Sequence, residues 1–165
     1  MRDLVAGIVA VLLLLVAASL ATTLRSYRRR RQRARDSERA RGRVVIAELP
    51  TADELVLVSQ DDQRFYYGER AIDKDLIVAV RVLINGSPIA SSVSRRHAAS
   101  TPLQPTSFED RPEGIARDRW DVAVETAAGT TLIECGAIRE RVSQELARAV
   151  FDAIKNDMEG RDRKI

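Results

Sequence analysis

The sequence predicts an α+β protein: an N-terminal apolar helix, a small antiparallel β domain of about seven short strands, and a closing amphipathic helix. Three observations carry this. An uncharged run occupies the N-terminal end, alternating apolar runs bounded by turn residues follow from Val44, and a four-residue apolar ladder ends the chain.

Residues 1–24 read as a transmembrane anchor. Leu4 to Leu24 carry no charge and no proline, and as a helix at about 1.5 Å per residue they extend roughly 31 Å, the depth of a bilayer core. Ser19, Thr22 and Thr23 can return their hydroxyls to the helix backbone. A secretory signal peptide cleaved after Ser19-Leu20-Ala21 is the rival; the run is long for one, and the arginines beyond it would have to be translocated. Only Arg2 and Asp3 are charged ahead of the run, while arginines crowd behind it. The positive-inside rule therefore implies an inner (plasma) membrane protein, single-pass, N-terminus out and C-terminal domain cytoplasmic.

Residues 25–43 form an Arg-rich juxtamembrane segment, either a helical continuation or a linker. Ten arginines stand against Asp36 and Glu38, a net of +8, whereas residues 44–165 hold 16 basic and 21 acidic groups, a net of −5. Arg25, Tyr27, Arg28, Arg29, Arg30, Arg31 and Arg33 are the candidate membrane-surface contacts: anionic headgroups attract each nearby Arg by about 1 kcal/mol, and Tyr27 suits the headgroup level. Topogenesis alone would produce the same pattern. Nucleic acid fits less well, because Tyr27 is the only aromatic residue in the stretch.

Residues 44–160 form the α+β domain, with 161–165 as a tail. Strands are expected at Val44–Leu49, Leu55–Ser59 after a turn at Pro50–Asp53, Arg64–Tyr67 after Asp61-Asp62, and Leu76–Ile84. Asn85-Gly86 suits a type I′ turn into a strand near Ile89–Ser94, which Pro88 assigns to a sheet edge. A second hairpin spans Trp120–Cys135 with Ala128-Gly129 at its tip. Trp120, Val122 and Val124 share one face of its first strand, with Asp121, Ala123 and Glu125 on the other, and on the return strand Ile133 and Cys135 alternate against Leu132 and Glu134. Trp120 is the expected core anchor.

The last helix is predicted over Ala137–Met158, with Ile138, Val142, Leu146, Val150, Ile154 and Met158 as its stripe and Gly160 as its end. Between Ser94 and Arg117 lies a long loop with Pro102, Pro105, Pro112 and Gly114, a candidate contact surface or a disordered segment, with Phe108 able to pin it. Ser100 and Thr101 beside Arg95-Arg96 form a weak phosphorylation pattern.

Short antiparallel strands followed by one C-terminal helix resemble the order in pleckstrin-homology-like (PH-like) barrels. The resemblance spans about residues 44–158, is topological, and carries no diagnostic motif. Such modules bind lipids, peptides or proteins. A sandwich with the helix on one sheet face is the alternative.

The chemistry in the sequence is sparse. One Cys and one His exclude a disulfide framework and multi-Cys/His zinc sites within one chain. No phosphate-loop, dinucleotide, zinc-protease or serine-hydrolase motif occurs. His97 lies beside Arg95 and Arg96, which disfavours its imidazolium. Cys135, at the expected strand–helix junction, is the one candidate for a lowered thiol pKa, against a buried structural cysteine. Asp61-Asp62 and Asp73/Asp75 are read as turn chemistry. No catalytic, cofactor or metal residue is assigned, and none is required for the reading that follows. The expected function is a non-catalytic interaction module docking a protein partner near the membrane, with membrane lipids contacted through the anchor and Arg stalk. The alternatives are a Cys135 thiol enzyme or redox sensor, and an oligomeric scaffold assembled through the span or an uncovered sheet edge.

Overall fold

A computed structural model describes the backbone of residues 2–50, 55–97 and 118–163, with side chains from Leu12 onward and without that of His97. Most of the 94–117 loop, including Ser100, Thr101 and Phe108, lies outside the described residues, as does the turn after Pro50. The chain divides into two compact units, Met1–Arg41 and Gly42–Ile165.

The first unit is one helix, α1 (Arg2–Ala40), so the Arg-rich segment continues the helix rather than forming a linker. Leu, Ala, Arg and Gln are strong helix formers, and no proline interrupts them. The Thr22 and Thr23 hydroxyls donate to the Ser19 carbonyl at 2.8 and 2.9 Å, so both are satisfied within the helix. Gly42, at φ +75°, follows its end. Among the described residues, no helix is long and apolar enough to cross a membrane, which overturns the expected single-pass, inner-membrane localisation.

The second unit is α+β, with two four-stranded antiparallel sheets and a C-terminal helix. The first sheet is a meander, β1 (Val44–Pro50), β2 (Leu55–Gln60), β3 (Arg64–Tyr67) and β4 (Arg70–Asp73), in that order. Asp61 builds its β2–β3 turn by accepting the Gln63 and Arg64 N–H groups at 2.8 and 2.7 Å. Strand β4 is absent from the sequence reading; Ile72 alone among its four residues is buried, too little to register as an alternating run. Asp73 then caps a 3₁₀ turn, Lys74–Leu76, by accepting the Asp75 N–H, which delays the next strand to Ile77.

That strand, β5 (Ile77–Ile84), sits inside the second sheet with β6 (Ser87–Val93), β7 (Arg119–Thr126) and β8 (Gly129–Ala137), in the order β6-β5-β7-β8. Asn85 and Gly86 take φ of 53° and 77°, the left-handed pair a type I′ turn requires. Strand β6 lies at the edge, as Pro88 predicts. Among the described residues no barrel closes: the strands form two separate sheets, eight strands in place of about seven.

The closing helix α2 (Arg141–Asp162) packs on β1, β5, β7 and β8 and so joins both sheets to one core. Its fully covered line is Ser143, Ala147, Val150, Ile154 and Met158. The predicted stripe is therefore correct only in its C-terminal half; Val142 is 60% exposed and Leu146 is half-buried. Steps of four residues advance 400°, drifting about 40° each time round the helix, so one three-residue step, Ala147 to Val150, is needed to stay on a fixed face. Near its start, the Ser143 side chain closes over Gly136 (φ +113°), where an added Cβ would meet Ser143 Oγ at 2.5 Å. Nor does Gly160 end the helix: it continues to Asp162 because its last residues are tied to β6 and the 3₁₀ turn.

Trp120 anchors the core and donates from Nε1 to the Ile138 carbonyl at 3.3 Å. Strand β7 is buried on both faces, not one. On its outer face Arg119 lies 2.8 Å from Asp121 and 2.9 Å from Glu134, and Arg81 lies 2.9 Å from Glu125. Asp121 and Glu125 are buried in these pairs, while the Glu134 side chain stays half exposed.

Candidate functional site

Of the arginines predicted to act together, Arg25, Arg29, Arg30 and Arg33 line one side of α1 with Thr22 and Ser26. At 100° per residue, Arg31 falls on the opposite side, and Tyr27 and Arg28 lie about 130° from its centre, one on each flank. Tyr27 is exposed. The seven residues thus do not form a single surface.

Among the described residues, a dense assembly of polar side chains lies where the end of α2 meets the 3₁₀ turn and the end of β6. Lys74 is buried, its ammonium 3.0 Å from Asp157 and 4.6 Å from the centre of the Phe65 ring. Arg161 binds Asp157 at 2.8 Å, pairs with Asp75, and donates to the Asp62 carbonyl at 3.0 Å. Asp162 accepts the Ser94 hydroxyl at 3.0 Å and the Arg95 N–H at 2.8 Å. Arg96 donates to the Arg161 carbonyl at 2.6 Å. A helix C-terminus presents unpaired carbonyls and partial negative charge, so cations collect there for a physical reason.

Burial pushes the Asp162 carboxyl up, but the N–H groups of Arg95 and Arg96, the Ser94 hydroxyl and the Arg96 charge outweigh it and hold it below the ordinary carboxylate range. A folded-state pKa below the unfolded value contributes stability above the unfolded value of 3.8, and that contribution is lost as pH falls through the lowered one. Asp162→Asn is therefore expected to flatten the acid side of the stability profile. Urea midpoints between pH 6 and pH 2.5 would check this; a variant curve parallel to wild type at every pH contradicts it.

Beside this knot runs the β6 edge. The Ser94 N–H donates to the Val78 carbonyl at 2.8 Å, and Ser92 pairs with Val80. Antiparallel alternation then aims the backbone groups of Ser91 and Val93 away from β5. Among the described residues no strand pairs with that side. The strand, Ser-Pro-Ile-Ala-Ser-Ser-Val, carries no charge, and Ile89 and Val93 are exposed. Between this edge and the end of α2 lies an open cleft of about 390 Å³ lined by Ser92, Val93, Arg95, Glu159, Asp162 and Arg163. The sequence signals the edge through Pro88, but the reading of Gly160 as a helix end assigns Asp162 and Arg163 to a tail and hides the cleft.

Cys135 follows the buried structural reading and not the lowered-pKa one. It lies within β8, six residues before α2 begins, and is almost wholly buried. Burial, and secondarily the Asp121 charge, push its thiol up to about 12, Arg119 opposing. Labelling with a thiol reagent at pH 8 is expected to be slow in the folded chain and rapid in 6 M urea; equal rates in both would contradict this burial. The His97 side chain lies outside the described residues. Asp61 accepts the Tyr66 hydroxyl at 2.7 Å besides its turn contacts, and Asp75 is engaged by Arg161, so these acids act as turn and ion-pair partners. Among the described residues, no three His, Cys, Asp or Glu side chains gather as a metal site.

Comparison with protein-family models, with curated proteins and with solved structures finds no match to this chain.

Proposed function

We propose that the Gly42–Ile165 unit is a non-catalytic interaction module that docks a protein partner by strand addition along β6. The observation that supports this most is the edge itself: an uncharged strand, exposed at Ser87–Ile89, Ser91 and Val93, with the Ser91 and Val93 backbone groups turned outward. Proteins commonly protect such edges with charge, proline or bulges. Here Pro88 and the bulge at Val82/Leu83 lie at the first half of the strand and leave Ala90–Val93 open. A peptide gains affinity from main-chain hydrogen bonds in this mode, and specificity from what its alternate side chains meet.

Two sheets bridged by a C-terminal helix also suit a PH-like sandwich, a body on which docking surfaces sit at edges and loops. The order β6-β5-β7-β8 departs from a simple meander and sets β6 on the rim.

The test is recovery of proteins from cell extract on the full chain and on Ser91→Pro. Proline at Ser91 removes an outward N–H while leaving the inward bonds of Ser92 and Ser94 in place. Partners that bind wild type and are lost with Ser91→Pro, at unchanged Tm, support the reading. Identical recovery on both baits overturns it.

A further inference from the structure

The cleft beside β6 contains two acids, and both are engaged. Asp162 is held by Ser94, Arg95 N–H and Arg96, and Glu159 lies 3.7 Å from Arg163 and 3.8 Å from Lys155. The Arg95 side chain is exposed and, among the described residues, has no acidic partner. Arg163 is 80% exposed and, among the described residues, has only the long contact to Glu159. The free valence of the cleft is therefore cationic, even though the unit that carries it has more acids than bases.

We propose that the β6 edge accepts an extended acidic peptide, with a carboxylate on the cleft-facing side of the added strand meeting Arg95 and Arg163. The proposal rests on the strand-addition reading and names its ligand class. Side chains of an added strand alternate between faces, so those on the Ser92 side point toward the end of α2. A carboxylate there gains charge-assisted hydrogen bonds from guanidinium groups that otherwise face water. Neutral and basic residues at that position gain nothing or are repelled. A second copy of this chain is a poorer occupant: antiparallel pairing of β6 with itself about Ser92 sets Arg95 opposite Ile89, with no acid in Ser87–Val93 to meet it.

The experiment is fluorescence anisotropy with three labelled nine-residue peptides of alternating Thr and Val, bearing Glu, Gln or Lys at the two central cleft-facing positions. They are titrated with the full chain, Arg95→Glu/Arg163→Glu, and Ser91→Pro at 50 mM and 300 mM salt. The Glu peptide is expected to bind wild type at least fivefold more tightly than the Lys peptide at low salt, with the order reversed by the double Arg variant and all binding lost in Ser91→Pro. If all three peptides bind equally and Ser91→Pro abolishes them, the acidic preference is wrong and strand addition stands. If Ser91→Pro binds as well as wild type, or no peptide binds wild type, strand addition itself fails. Sedimentation of the free chain as a dimer that Ser91→Pro dissociates would assign the edge to self-pairing and overturn the peptide proposal.

Discussion

Asp157→Ala is expected to destabilise the folded unit by about 3 kcal/mol, the cost of leaving a buried cation without its counter-charge. The Lys74 side chain is 5% exposed, and its ammonium lies 3.0 Å from Asp157. Truncating the aspartate strands that ammonium beside the Phe65 ring, whose face compensates only in part. It also removes the 2.8 Å contact that holds Arg161 in the last turn of α2. Lys74→Met is expected to cost about 1 kcal/mol or less, because the methionine stem fills the same volume and Asp157 keeps Arg161. With a urea m-value of about 2 kcal/mol/M, the first variant should shift the midpoint down by roughly 1.5 M and the second by less than about 0.5 M. Equal shifts would mean that the packing of the lysine stem, and not the charge pair, carries the stability.

Ile154→Ala is expected to cost about 3 kcal/mol, and Val142→Ala no more than about 0.5 kcal/mol. Ile154 is wholly buried on the line that α2 presents to the two sheets, whereas Val142 is 60% exposed. Both belong to the apolar ladder visible in the sequence, so the pair separates the ladder from the face that is actually covered. Comparable losses on thermal or urea unfolding would place Val142 against the core and contradict the packing described above.

The same contrast explains what was legible. Asn85-Gly86 fixes its hairpin locally, since few dipeptides accept two left-handed positions, and the strand boundaries near it follow. Trp120, Val122 and Val124 are legible as a core face because strand alternation is a backbone property. The burial of Asp121 and Glu125 is not, because it depends on Arg119 and Arg81 reaching across from their own positions. Phase errors accumulate along a helix, so the apolar stripe of α2 is right near Ile154 and wrong near Val142. Gly160 marks a helix end by its intrinsic propensity, yet Asp162 and Arg161 hold that turn through partners about 65 to 100 residues away in sequence. Cys135 lies six residues before the helix begins, so of its two readings only the core one fits, and the exact strand–helix boundary that decides between them is not local to it. The candidate cleft needs β6, Arg95 and the end of α2 together, a meeting that only tertiary contacts disclose.

The account stands or falls on β6 being an open edge. Residue-resolved amide hydrogen exchange of the full chain by NMR reads this directly. The Ser92 and Ser94 amides, bonded to β5, should be protected, while those of Ser91 and Val93 exchange at rates close to those of an unstructured peptide and gain protection only when the acidic peptide is bound. Protection of Ser91 and Val93 in the free chain, equal to that of Ser92 and Ser94, would show the edge already paired and contradict the docking proposal.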